Sequence, residues 1–141
     1  MATALDPRAR PTDRGIRGYY NPSTTVTLAK HRFVTGATSG GEDIQYPADT
    51  ATPLAGVTME DIPPLSRGDV QIEGTAKVAA AGALATLQTQ VNGDTDGKAQ
   101  AATAAAGVDY AVGGQTKQVA GAEDDVIEVE LLGLGTLQQG A

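Results

Sequence analysis

The clearest hydrophobic pattern lies near the C-terminal end, from Ala111 to Gly133 (AVGGQTKQVAGAEDDVIEVELLG), where Ile127, Val129 and Leu131 alternate with Glu128 and Glu130. Period two with β-branched residues predicts a half-buried strand. The acidic run Glu123-Asp124-Asp125 before it suits a turn and opposes edge-to-edge association. A related phrase runs from Leu54 to Gly74 (LAGVTMEDIPPLSRGDVQIEG), where Val70 and Ile72 alternate with Gln71 and Glu73. That strand is expected to continue through Ala76 and Val78. Gly56-Val57-Thr58 parallels Gly114-Gln115-Thr116, and the stretch Asp69 to Glu73 parallels Asp125 to Val129. Each phrase predicts a strand, a polar turn and a returning strand. Two copies are too few for a solenoid, so the pattern predicts two related β units packed as a small β-barrel or β-sandwich.

The rest of the chain fits an all-β domain. Ser23 to Val34 (STTVTLAKHRFV) predicts one or two strands, and Gly36 to Glu42 a flexible turn. Asp43 to Ala48 predicts a short extended piece, Thr52 to Met59 a strand, and Asp61 to Gly68 a proline-containing turn. Gly93 to Lys98 (GDTDGK) predicts a tight turn, followed by a strand over Lys98 to Ala104. At most one short helix is expected, over Ala79 to Leu87, where Gly82 weakens it and a strand plus turn fits as well. Residues 1–22 hold Pro7, Pro11 and Pro22 and have no apolar period, which predicts an extended arm, ordered only where something holds it. The domain proper is expected over residues 23–133, with a Gly- and Gln-rich surface tail at 134–141.

Composition narrows the picture. One Phe, four Tyr and no Trp among 141 residues leave a core of Ala, Val and Leu, a thin core for a single domain. No Cys is present, which excludes disulfides and thiolate metal sites. No apolar run approaches about 18 residues and the N-terminus has no signal-peptide pattern, so a soluble, cytoplasmically made protein is expected, without a membrane partner. The net charge is −7. Residues 1–22 carry four Arg against two Asp, a local +2, whereas the remainder carries six cations against fifteen acids, a local −9. An acidic body argues against nucleic acid as a partner, and a basic arm on such a body suggests docking on another protein. The candidate contact residues are Arg8, Arg10, Arg14 and Arg17, with Tyr19 and Tyr20 as anchors, because Tyr and Arg concentrate in interface cores.

No catalytic constellation is evident. His31, the single histidine, sits between Lys30 and Arg32 with no thiol nucleophile in the chain, and a structural role fits it better than a catalytic one. Gly36 to Gly41 lacks the Lys-Ser/Thr of a phosphate loop. Asn92, Asp94, Asp96 and Gly97 match the first positions of a calcium loop, but the twelfth is Thr103, so a plain Asp-Gly turn is favoured. The trio Glu123 to Asp125 fits a solvated turn better than acid–base chemistry. No metal, cofactor, catalytic residue or small-molecule substrate is therefore expected.

The order LAGVT…GDVQIEGTAKVAA, then DTDGKAQAA, then YAVGGQT…AGAEDDVIEVELLG resembles the small capsid decoration, or cement, proteins of tailed bacteriophages. Gly68-Asp69-Val70, the run Asp94 to Ala99, and the run Asp125 to Val129 carry the resemblance, which spans about Leu54 to Gly133. It implies a non-enzymatic β-barrel-like virion protein, made in the host cytoplasm, that adds to the outer capsid surface. It further implies a homo-oligomer, by preference a trimer, that clamps neighbouring subunits of the major capsid protein. The basic arm departs from the family pattern and is expected to reach across a capsomer boundary. A different class of function, a head-fibre or tail-associated module for a host receptor or glycan, needs exposed aromatic side chains or a polar cleft, and the chain has only five aromatics.

Overall fold

The computed structural model describes residues 15–104 and 106–139. Among these residues the fold is all-β, with no helix. The strands are β1 (Ile16–Asn21), β2 (Phe33–Gly36), β3 (Ile44–Gln45), β4 (Leu54–Thr58), β5 (Ser66–Gln71), β6 (Thr75–Ala79), β7 (Gln90–Gly93), β8 (Ala99–Ala101), β9 (Asp109–Ala111), β10 (Gly114–Thr116), β11 (Val126–Leu131) and β12 (Leu137–Gln139). They form one sheet ordered β1-β5-β4-β2-β3, a second ordered β6-β11-β10-β7-β8, and a ribbon of β9 with β12.

The two five-stranded sheets follow one plan. Numbered within its own unit, each runs first, fifth, fourth, second, third, with antiparallel neighbours throughout. In each unit a parallel bridge near the end of the first strand, Tyr20 to Asp43 and Ala80 to Ala99, ties it to the start of the third. The correspondence extends to single bonds. Thr58 lies opposite Val70, and Thr116 opposite Val129. The Thr58 hydroxyl donates to the Ala29 carbonyl (2.7 Å) and accepts from the Arg32 N–H (3.0 Å). The Thr116 hydroxyl makes the same pair of bonds with Thr86 and Thr89, both at 3.0 Å. The four non-glycine residues with positive φ fall into two matching pairs: His31 (63°) with Gln88 (59°), and Leu65 (57°) with Asp124 (72°).

The duplication inferred from two phrases therefore spans all of β1–β5 and most of β6–β11, with one correction. Matching Asp69-Val70 to Asp125-Val126 by residue identity is out of step, because the ladder places Val70 with Val129 and Asp69 with Glu128. Hydrogen-bond register fixes the pairing, and a shared Asp-Val dipeptide does not.

Three further expectations change. The strand over Val70 and Ile72 stops at Gln71, and Gly74 (φ +83°) turns the chain into β6, which belongs to the other sheet. Ala79 to Leu87 forms no helix. Ala79 ends β6, Ala80 bridges Ala99, and Leu84 bridges Ala120. Those alanines are buried where two units meet, and packing of small side chains overrides helix propensity. Ser23 to Val34 is mostly loop, with β2 starting only at Phe33. Here Asn21 and the Ser23 hydroxyl take up backbone groups that a ladder would need.

One core cluster, Leu28, Val34, Ile44, Ile62 and Val70, lies within the first unit. The larger cluster belongs to the second unit but includes Phe33, Leu54 and Val57 from the first. Phe33 crosses the seam between them: its N–H donates to Gly97 O (2.7 Å), while the Ala79 N–H beside it donates to His31 O (2.8 Å). Its ring lies so close to Gly113 that a Cβ there would overlap it.

Candidate partner-binding surface

Of the candidate contact residues, Arg8, Arg10 and Arg14 lie outside the described residues. The other three are on β1, which pairs with β5 from Ile16 opposite Gln71 to Asn21 opposite Ser66. The end of the expected arm is thus held as an edge strand. Strand alternation separates the anchors. Arg17 and Tyr19 share a face with the fully buried Asn21, and Tyr19 packs against the first unit's core cluster. Tyr20 points the other way, half-buried, and lies opposite Arg67. Its N–H donates to Glu42 O (2.8 Å), and Arg67 pairs with the Glu42 carboxylate (2.7 Å). Arg17 is exposed, and Tyr19 and Tyr20 are both partly buried on opposite faces of β1.

His31 sits at the seam, on the loop that caps the outer edge of β6. Burial holds its pKa below the ordinary imidazole value, and Lys30, Lys77 and Arg32 push it the same way; a hydrogen bond to the Lys77 backbone opposes them. The ring is thus favoured neutral, in a structural position. Asp94 Oδ1 accepts the N–H groups of Asp96 and Lys98, both at 2.9 Å, which closes the Asp-Gly turn expected from the sequence. Asn92, the first position of the weighed calcium loop, is buried in β7 and bonds Ala111 O and Gln100. Among the described residues no group of three His, Cys, Asp or Glu is placed to hold a metal ion.

The acidic trio divides by function. Lys98 Nζ lies 2.8 Å from both Glu123 and Asp124. Its hydrogen bonds to Asp124 and then Glu123 raise the Lys98 pKa, and Lys98 in turn lowers that of Asp124. Both partners are fixed in their charged forms, which suits an ion pair and not proton transfer. Asp125 Oδ2 accepts the N–H groups of Gly121 (2.9 Å) and Ala122 (3.1 Å) and so closes the turn before β11. Sequence reasoning missed a further surface on the same turn. Val119 and Val126 are both exposed beside Ile127, in a shallow groove that Gln118 and Asp125 complete. The alternating pattern of β11 hid it, because Val126 falls on the polar face.

No protein-family model and no curated protein sequence matches the chain. A solved structure does: the crystal structure of the N base of head fiber gp8.5 of bacteriophage phi29, with a TM-score of 0.62 and 14% identity, covering 84% of this chain and 96% of that one. The fold is similar to that of a phage head-fibre base. At this identity the likeness speaks for the fold alone. It extends over nearly the whole of the phage domain, so both five-stranded units take part.

Proposed function

We propose that the protein is a structural component of a tailed-phage virion, seated on the outer capsid surface, where it stabilises the shell by holding neighbouring subunits of the major capsid protein together. The observation that carries this reading is the fold likeness to a head-fibre base over both units. The ordered decoration-protein motifs support it from the sequence side. Within the described residues, Arg17, Tyr19 and Tyr20 on β1 are the proposed contact residues, Arg17 exposed and both tyrosines partly exposed. Attachment as a homo-oligomer, a trimer by preference, multiplies modest contacts through multivalency, and binding stabilises a small protomer by mass action.

A second reading, that the chain is the foot of a projecting head fibre, is favoured by the nature of that solved neighbour, itself a head-fibre base. Cryo-electron microscopy of the native particle, with thermal release of packaged DNA from heads with and without the protein, separates the two. Density lying between capsomers together with raised heat resistance supports clamping. Density at the base of a projecting fibre, with heat resistance unchanged, supports the second reading. Absence of the chain from the outer surface overturns both.

A further inference from the structure

Because the two units share one backbone plan, each gives a reference for what the fold requires of the other. The loop before the last strand shows this well. In the first unit Glu60 Oε2 accepts the Asp69 N–H (2.8 Å), and in the second Gln118 Oε1 accepts the Glu128 N–H (3.0 Å), at the same place. The neighbouring positions differ. In the first unit Asp61 Oδ1 accepts the Lys30 N–H (2.9 Å) and Arg67 pairs with Glu42 (2.7 Å). Their counterparts in the second unit are Val119 and Val126, 54% and 48% exposed. The fold does not require valine at either place, since the first unit builds the same backbone with Asp and Arg. Single exposed apolar groups are common on protein surfaces, but these two cluster in one groove without a structural reason, as contact surfaces do.

The surroundings specify the partner's chemistry. Asp125 lines the groove and Glu128 follows on β11, and among the described residues neither is in an ion pair. Residues 74–139 hold eight acids against three lysines. The body of a second copy, a local −9 outside residues 1–22, would bring like charge to this face. We infer that the Val119–Val126 groove docks a basic segment of a partner protein, one that places an aliphatic or aromatic side chain between Lys or Arg residues. This rests on the capsid reading in so far as the partner belongs to the particle.

The test is co-sedimentation of the full chain with purified heads that lack it, at about 0.05 M and about 0.5 M salt. Val119→Ser/Val126→Ser is expected to raise the apparent Kd at least about tenfold, as loss of an interface anchor does. Glu128→Lys is expected to weaken binding similarly at low salt, and native binding to fall at high salt. Val108→Ser, at an equally exposed valine (54%), should stay within about twofold of the native chain. If the native chain binds and the double variant binds equally well, this inference fails while the capsid reading stands. Failure of the native chain to bind overturns both. Salt-independent binding refutes a basic partner. Should circular dichroism show the double variant misfolded, Glu128→Lys alone decides.

Discussion

Phe33→Ala tests the claim that the two units form one cooperative body. Phe33 is the single Phe of the chain and is fully buried. It stands on β2 of the first unit, yet its ring belongs to the second unit's core. Its neighbour Val34 faces the other way, into the first unit's cluster. Truncating a buried Phe to Ala costs about 3–5 kcal/mol, partly through the cavity left behind. Gly93 and Gly113 bring backbone up to the Phe33 side chain, leaving no side chain there to relax into the space. The upper part of that range is therefore expected, a large share of the roughly 5–15 kcal/mol that holds a typical domain. Urea unfolding followed by circular dichroism should show a lower midpoint with an unchanged slope. Hydrogen exchange should lose protection in β5 and β11 together. A loss under about 1 kcal/mol, or a two-step curve in which only the second unit melts early, would refute the seam as the cooperative link.

Three other substitutions probe local arguments. Since the folded state holds His31 below the ordinary value of 6.5, the unfolded chain binds the extra proton, and stability should fall as pH drops through about 6.5. His31→Asn, which tolerates positive φ, should flatten the slope between about pH 6.5 and 5.5 in urea titrations; an unchanged slope rejects the assignment. Leu65, exposed at φ 57°, is strained without burial to compensate. Leu65→Gly should raise stability by up to about 1 kcal/mol after the entropic cost of glycine, and a lower melting temperature would contradict this. Asn21 Nδ2 donates to the carbonyls of Val26 (2.7 Å), Ile62 (3.0 Å) and Pro63 (3.3 Å). Asn21→Ala leaves the Val26 and Pro63 carbonyls without this donor, while Ile62 O keeps the Leu28 N–H (2.9 Å), and should cost about 1–3 kcal/mol; thermal melts indistinguishable from the native chain would show that water replaces it.

Much of the fold was legible where one face of a strand is buried. The alternation of Ile127, Val129 and Leu131 located β11, and Asp96-Gly97 located the turn after β7. The parallel between Gly56-Val57-Thr58 and Gly114-Gln115-Thr116 is real because both glycines meet the backbone of the next strand. A Cβ on Gly56 would strike Gln71 O, and one on Gly114 would strike Glu130 O. The rest of the duplication was hidden, since its equivalences are backbone hydrogen bonds and positive φ angles carried by unrelated residues such as His31 and Gln88. The alanine-rich run misled because its small side chains serve close packing at the seam. The contact surface was only partly visible. The Arg17–Tyr20 stretch drew notice through residue type, but alternation on β1 turned Tyr19 inward. Val119 and Val126 are seven residues apart and become neighbours only when the turn closes.

The same internal comparison shows how the face that joins the two units differs between them. In the first unit Phe33 lies opposite Val57, and that pair packs into the second unit. The corresponding pair in the second unit is Gln90 opposite Gln115, both half-buried. Beside them Val112, the counterpart of Leu54, is covered by the segment after β11, where the Leu132 N–H donates to Gly113 O (3.1 Å) and Gly133 lies against Val112. The face that joins the first unit to the second is thus made polar in the second, which disfavours further packing on it. Gln90→Phe/Gln115→Val should restore an apolar face without disturbing the ladder. A heterologous face of this kind adds copies head to tail. Sedimentation velocity should then show species larger than those of the native chain, growing with concentration. If the variant sediments as the native chain does, the two glutamines are not what keeps this face from associating, and the covering segment after Leu131 must be sufficient by itself.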